Sequence, residues 1–598
     1  MKNNIKKLYI LFVFLSVFTG CNDDILNQLP KDTLVEETTF TSDANFKSYA
    51  WGFYTSFDAY NLSQQNLGFR GDLLALGNGS QTDPWLRQAI QIPTTSSLWS
   101  DSYKQIRRVN IMLRNTNNGS LDETQRKHWE SVGRFFRAYH YFNLVKAYGD
   151  VPWLGDLVLT DKSPELYGKR TPRTEVAQHI LDDLKFAEAN IKADGSGKNT
   201  INTNVVRALL SRFGLFEGTW EKYHETSGGT PEKYLQASFD ASAELMVAFP
   251  SLISNFDLVF NSESLDGKPG IILYKDYIFG QVTHILTSRL RNSAGNWDLT
   301  KKAVDKFLCT DGKTRWTSTS FKGDKDPYDE FKNRDTRLYI TTTVPYKVKP
   351  TGGNKNKSYT WTYDSNPKYR EYLDIMAGLS DAEHKAGPTM NWAGFVVKQE
   401  PHFRKFNSGQ GFNVCYTGYR LNKFYNNLNT GIQNKDFADA PIFRMGEVLL
   451  NYAEAAYELG TINQSIIDAT INKLRARGGV TSLDISNIPN DPTRDADVDA
   501  ILWEIRRERA VELLAEGFRW DDLRRWKKFV EYGSQEKLGR WVKNSDYGNK
   551  LPIQGGASEG YVSPFGVPPG VPEYYYLSPI PSNEIVLNPN LTQNPDWN

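Results

Sequence analysis

Three cysteines in 598 residues are too few for a disulfide framework. Cys21, Cys309 and Cys415 contain no Cys-x-x-Cys pair, so the common structural zinc sites are excluded. Beyond Cys21, the remaining two can either form one disulfide outside the cytosol or stay as buried thiols. Histidine is scarce, at seven, with no His-Glu-x-x-His spacing. There is no Gly-x-Ser-x-Gly elbow and no phosphate-cradling Gly-Lys-Ser loop; Gly77-Asn78-Gly79-Ser80 is too short for either. An excess of one charge is also lacking: 71 Lys and Arg oppose 70 Asp and Glu. Nucleic-acid binding needs a basic stripe, so nucleic acid is not an expected partner. No cofactor motif and no metal-ligand set stands out.

Long apolar runs are missing except at the start. Lys2, Lys6 and Lys7 precede Leu8 to Phe18, apolar apart from Tyr9 and Ser16. That length suits a signal-peptide core and is too short for a membrane span. Thr19-Gly20-Cys21 follows and reads as a bacterial lipobox, with Phe18 where Leu is usual. Residues 1–20 are thus expected to be a lipoprotein signal peptide, and 21–31 a lipidated Cys21 with a polar tether. Several acyl chains on one cysteine meet the two-anchor requirement for stable membrane attachment.

What the chain has in abundance is aromatic side chains: 15 Trp, 31 Tyr and 32 Phe. Some must form core; so many also suggest ring faces exposed for contact. Apolar residues at helical spacing predict helices over 42–57, 98–113, 122–148, 174–191, 203–216, 231–247, 441–459, 465–476 and 497–516. Gly149-Asp150 followed by Val151-Pro152 is a stop signal for the third. Successive pairs of this length look like tetratricopeptide-type hairpins, without a strict 34-residue repeat. From about 256 to 439 the composition shifts to Gly, Asn, Lys, Thr and Tyr, with a surface loop at 349–357. Loop-rich inserts in a helical frame are where binding usually sits. At the end, Pro579, Pro581, Pro589 and Pro595 forbid a helix or central strand. Tyr574 to Tyr576, Ile580 and Trp597 are too apolar for a solvated tail, so this stretch is a strap ordered by packing.

Five internal segments carry a family likeness. They are Gly133 to Pro152, Asn333-Arg334-Asp335-Thr336-Arg337-Leu338, Pro441 to Ala455, Asn472 to Gly479, and Arg507 to Trp526. With the strap Pro579-Ile580-Pro581-x-x-Glu584-Ile585 and Asn588-Pro589-Asn590-Leu591-Thr592-Gln593-Asn594-Pro595-x-Trp597, they run in order over nearly the whole chain. The sequence resembles the SusD/RagB family, surface glycan-binding lipoproteins of Bacteroidota; Thr336 stands where the family's turn has Pro. The resemblance implies a mainly α fold, a tetratricopeptide-like helical hairpin scaffold with loop-rich inserts. It divides into 32–255 (N-terminal helical region), 256–439 (variable ligand-binding insert) and 440–598 (C-terminal helical region and strap), forming one compact unit. It also implies an oligosaccharide ligand, surface export helped by Asp23 and Asp24, and a SusC-like TonB-dependent transporter as partner.

The charged motif from Glu508 to Arg525 can be read as acid–base carboxylates or as an arginine-knitted structural network. Interleaved Arg would lower carboxylate pKa values, whereas a glycosidase acid needs its own raised; the structural reading is favoured, and no catalytic residue is assigned. Asp495-x-Asp497-x-Asp499 lacks Gly at position six and Glu at position twelve of a calcium loop, so helix capping is favoured. Sugars offer apolar C–H faces to indole or phenol rings and hydroxyls to Asn, Asp, Arg and Lys. The expected contacts are Asp83, Trp85 and Arg87 in the 77–97 loop, Asn296 with Trp297, Trp361 with Tyr359 and Tyr363, and Trp392 with Asn391. The reading is a non-enzymatic cell-surface glycan binder; its rivals are peptide uptake, a surface glycoside hydrolase, and a protein scaffold.

Overall fold

The structure is a computed structural model and describes residues 36–60, 68–76, 83–158, 164–291, 297–351, 360–403 and 415–597. The leader, Cys21 and the tether lie outside the described residues. The helices that build the scaffold and the site are α1 (Asp43–Trp51), α2 (Ser97–Asn115), α3 (Glu123–Tyr148), α4 (Arg173–Asn190), α5 (Thr203–Tyr223), α6 (Pro231–Ala248), α7 (Lys301–Lys306), α8 (Thr336–Thr341), α9 (Met445–Glu458), α10 (Ile471–Arg477), α11 (Ala500–Glu512) and α12 (Phe518–Arg525). The strands are short: β1 (Leu74–Leu76), β2 (Ile271–Lys275), β3 (Trp297–Leu299), β4 (Tyr346–Thr351), β5 (Thr360–Tyr363), β6 (Gln399–Glu400), β7 (Ala440–Arg444), β8 (Trp541–Lys543) and β9 (Glu559–Tyr561). They form the antiparallel sets β1–β3, β2–β7, β5–β4–β6 and β8–β9. The fold is mainly helical, as the sequence implies.

Local chemistry explains the helix ends. Asp122 closes a capping box on α3 with Gln125, and Gly149 stops α3 at φ 73°. Asn202 caps α5 through the Val205 amide. α5 and α6 form an antiparallel hairpin, because Gly218 faces Pro231 and Leu235 while Gly214 faces Tyr234 and Ser238. A Cβ at Gly214 would stand 2.5 Å from the Tyr234 carbonyl oxygen, so glycine there sets the interhelical approach. Two departures from the sequence reading have simple causes. Residues 440–444 pair as β7 with β2 before the helix begins at Met445. Within the strap, Ser582–Leu587 makes one short helix, which fits between Pro581 and Pro589.

Two large apolar cores result. One joins α1 to α6 with α9, α12 and the strap. The other belongs to the insert and takes in Ala510, Val511, Leu514 and Ala515 from the end of α11. Helix α11 therefore lies between the cores, buried from Leu502 to Glu512 although six of those residues are charged. Buried charge demands partners. The strap is pinned by side-chain amides: Gln593 accepts from the Ile580 amide at 2.7 Å and donates back to its carbonyl at 2.9 Å. Asn594 donates to the carbonyls of Tyr148 and Ser578. Cys309 and Cys415 are both buried free thiols. Among the described residues no helix is long and apolar enough to cross a membrane.

Candidate functional site

The expected contact residues separate into core and surface. Trp85 is 5% exposed and packs edge-on against Trp520, Tyr575 and Trp597. The expectation that it is a solvent-facing platform is corrected: the strap, distant in sequence, covers it. Asp83 accepts from the Trp85 amide at 2.9 Å and faces Arg70 at 3.5 Å. Arg87 donates to the carbonyl oxygens of Phe565 and Val567. Trp297 is likewise buried, in β3 beside Phe69, so it too presents no free face. Asn391 is buried and accepts from the amides of Ala393 and Phe395; the half-buried Trp392 ends a turn against Gly431. Asn296 and Tyr359 lie outside the described residues. Trp361 and Tyr363 do come together, two apart on one face of β5. Tyr363 is 41% exposed with Arg370 stacked on it at 4.1 Å, while Trp361 leans on Gly387. Trp85→Phe is expected to cost roughly 1–3 kcal/mol through the void it leaves, measured by denaturant unfolding.

The charged motif is a set of buried ion pairs. Asp335 caps α8 through the Arg337 amide, and the Arg337 side chain reaches Asp335 at 2.7 Å, Glu508 at 2.6 Å and Glu512 at 3.1 Å. Glu512 also meets Arg444 at 2.6 Å, and Arg477. Four family motifs thus converge on one carboxylate, whose pKa is held well below its ordinary value by Arg477, Arg444 and Arg337 against the cost of burial. Arg525 grips Glu454 with two bonds, at 2.6 and 2.7 Å, and Glu454 is lowered to about 2. Asp499 caps α11 and Asp497 pairs with Lys528, so the Asp triplet is used as capping and pairing groups. Burial does raise Glu221 and Asp298 to about 7, but neither lines the clefts described next.

One cleft, of ≈ 440 Å³, lies where α3, α5 and α12 meet. Its charges pair within the protein: Arg212 with Glu447, Lys146 with Asp521, Arg444 with Glu516. A second, of ≈ 520 Å³, is bounded by α7 and by segments around 316, 491–495 and 531–538. Trp316 stands on its wall with 47% of its surface exposed. Arg315 backs the indole at 4.2 Å and is itself fixed by Asp305 at 3.0 Å and Asp324 at 2.7 Å. The ring therefore cannot swing freely, and it is half open to the cleft and solvent. The same cleft is lined by Tyr532, covered by Lys302 at 3.6 Å, and by Tyr561, bonded to Asp324. A flat exposed indole above fixed charged groups can stack on an apolar ring face while the charges bond its polar rim. Sequence reasoning passed over Trp316, although Thr314-Arg315-Trp316-Thr317-Ser318 carries the signal used for Trp361: a tryptophan in a polar, loop-forming segment.

Comparison with known proteins gives consistent results. The model of the SusD family matches residues 287–597, and a model described as "Starch-binding associating with outer membrane" matches residues 31–215. "SusD-like protein P25" of Formosa agariphila is 22% identical over 582 residues, covering 91% of this chain and 95% of that protein. Among solved structures, a SusD-like carbohydrate binding protein from Bacteroides fragilis superposes with TM-score 0.65 at 19% identity, over 93% of this chain and 100% of that one. Surface glycan-binding protein A from Bacteroides fluxus does so with TM-score 0.57 at 16% identity, over 93% and 100%.

Proposed function

The chain belongs to the SusD family, and from that premise we propose that it is a non-catalytic glycan-binding protein of the outer-membrane surface, delivering oligosaccharide to a SusC-like TonB-dependent transporter. The observation that carries the binding role is Trp316: a half-exposed indole, clamped on Arg315, on the wall of a cleft large enough for a few sugar rings. The Trp361–Tyr363 face of β5 is a second aromatic surface, suited to an outer part of a long chain. The solved structures described above, a carbohydrate binding protein and a surface glycan-binding protein, lend the same reading support.

A capture role without bond cleavage accords with the carboxylates. Glycoside hydrolysis needs one protonated and one ionised carboxyl flanking the scissile bond. Glu512, Glu516 and Asp521 of the motif are instead held below the ordinary carboxylate range by neighbouring Arg and Lys, and Glu221 and Asp298, raised by burial, line neither cleft. A glycan array with the mature chain, run beside a reducing-sugar assay, tests this. Retention of an oligosaccharide without release of reducing ends is expected. Release that a single Asp or Glu change abolishes would overturn it, as would an array on which nothing is retained.

Membrane attachment through Cys21 is part of the proposal. Cys21→Ala removes the acylation site, and the protein is expected to move from the membrane fraction to the soluble one. Surface exposure is checked by protease treatment of whole cells; full protection of the wild-type protein would argue against a role in nutrient capture.

A further inference from the structure

The Trp316 cleft adjoins a positively charged recess of ≈ 10 Å³; Lys306, Asp495 and Tyr532 line both spaces. Its volume is that of one oxygen atom. Besides Lys306 and Asp495 it is lined by Arg506, Arg507, Arg519 and Lys528, walled by the indoles of Trp503 and Trp526. Three of the five cations are neutralised from behind: Arg507 by Glu504 at 2.8 Å, Arg519 by Asp72 at 2.7 Å, and Lys528 by Asp497 at 2.7 Å and Glu531 at 2.9 Å. Lys306 and Arg506 are not. They are 8% and 6% exposed, and among the described residues neither has a carboxylate within salt-bridge distance. Nε and Nη2 of Arg506 have no hydrogen-bond partner. Lys306 rests on Trp503 at 3.9 Å, and Arg506 on Trp526 at 4.5 Å. Aromatic faces compensate buried cations only in part. Glu454 feels the charge of Arg506, but Arg525 already holds both its oxygens.

We propose that this recess binds the anionic substituent, carboxylate or sulfate, of an acidic glycan whose ring lies in the Trp316 cleft. The inference rests on the glycan-binding reading above and names the substrate class for that site. One oxygen of the anion enters between Lys306 and Arg506 and supplies the negative charge both lack. A neutral hydroxyl fits the space but leaves both cations uncompensated. Half of the cleft's own carboxylates are offset by cations, which weakens their repulsion of such a ligand: Asp72 by Lys302 and Arg519, Asp305 by Lys301 and Arg315, and Glu531 by Lys528; Asp491, Asp495 and Glu536 accept from the Trp503 indole N–H, the Tyr532 hydroxyl, and Gln554 with Ser563.

Protonation gives the proposal a second handle. Burial, then the neighbouring charges of Lys302 and Arg519, push Lys306 down to about 7, opposed by Asp72 and Asp491; Asp495, Arg506, Arg507 and Lys528 face it across the recess. An anion favours the protonated amine, so binding is expected to tighten as pH falls from 8 to 6, with proton uptake. Lys537, lowered to about 8, lines the same cleft, so a Lys306 variant assigns the effect.

The test is titration calorimetry on the mature protein with backbone-matched pairs: oligogalacturonate against its carboxyl-reduced form, and sulfated carrageenan oligomers against their desulfated forms. At least one acidic member is expected to bind ten-fold or more tighter than its neutral match. Lys306→Met and Arg506→Met should remove that preference, and Lys306→Arg should keep it. Which pair shows the preference separates carboxylate from sulfate. Because both methionine variants remove an uncompensated buried charge, they are expected to fold, which a thermal melt checks. The pH dependence and proton uptake are read first on wild type, and their loss in Lys306→Met assigns them to Lys306 rather than Lys537. Neutral glycans bound through Trp316 with no preference for charge would sink this inference and leave the glycan-binding reading standing. Acidic binding that survives Trp316→Ala, or a preference that survives Lys306→Met, also overturns it. No binding by any member, charged or neutral, removes both.

Discussion

Glu512→Gln is expected to destabilise the protein by about 3–5 kcal/mol, the range for removing one partner of a buried ion pair. Glu512 is fully buried and compensates Arg337, Arg444 and Arg477 together. The amide keeps the shape and some hydrogen bonds but leaves three guanidinium groups short of one negative charge. Those groups come from α8, the end of β7 and the end of α10, so the loss loosens the joint between the two cores. Denaturant unfolding of the variant against wild type measures it; a midpoint unchanged within error would mean that the network contributes little. The pH dependence carries a sign. The folded pKa of Glu512 lies well below the ordinary glutamate value of 4.5. Its contribution is therefore present above about pH 4.5 and is lost as pH falls through the folded value. Glu454, lowered to about 2, acts in the same direction between 4.5 and 2. Wild type should lose stability steeply on acidification over that window, and Glu512→Gln should lose less.

Trp316→Ala is expected to weaken glycan binding about 30-fold, equivalent to roughly 2 kcal/mol, the scale of a central aromatic contact in a binding site. The indole is the large exposed ring of the cleft, and Arg315 fixes its orientation, so little freedom is lost when a ligand stacks. Because the ring is half exposed, its removal should leave stability within about 0.5 kcal/mol of wild type. That separation matters: Trp85→Phe lowers stability without touching the ligand, whereas Trp316→Ala should do the reverse. Trp316→Phe should recover part of the affinity, since a smaller flat face remains. Calorimetry with the best array ligand reads all three. Wild-type affinity in Trp316→Ala would remove the cleft from the binding site and leave the Trp361–Tyr363 face as the place to look.

Much of the helical frame was legible because its signals are local. The capping box at Asp122 and Gln125, the Gly149 stop and the 3.6-residue apolar spacing act within a few residues, and the observed helices differ from the expected ones by a turn or less at most ends. The error at 441–444 is instructive: an apolar run pairs with β2, 170 residues earlier in the chain, and no local pattern announces a distant partner. The favoured structural reading of the Glu508 to Arg525 motif likewise followed from composition, since interleaved Arg and Glu in one helix must pair when that helix is buried.

Aromatic placement was not legible in the same way. Trp85 and Trp316 sit in similar polar surroundings, each next to or near an arginine, yet one is core and the other surface. The difference comes from elements far away in the chain: Tyr575 and Trp597 fold back over Trp85, while nothing among the described residues covers Trp316 to that extent. The amino-acid sequence alone determined the helical hairpins, the family pattern and the need for every motif carboxylate to find an arginine, because propensity, capping and charge balance are properties of neighbours along the chain. Only the tertiary structure decided which rings face outward and which two cations, Lys306 and Arg506, are left without a counter-charge, because burial is a property of whatever the rest of the chain lays on top.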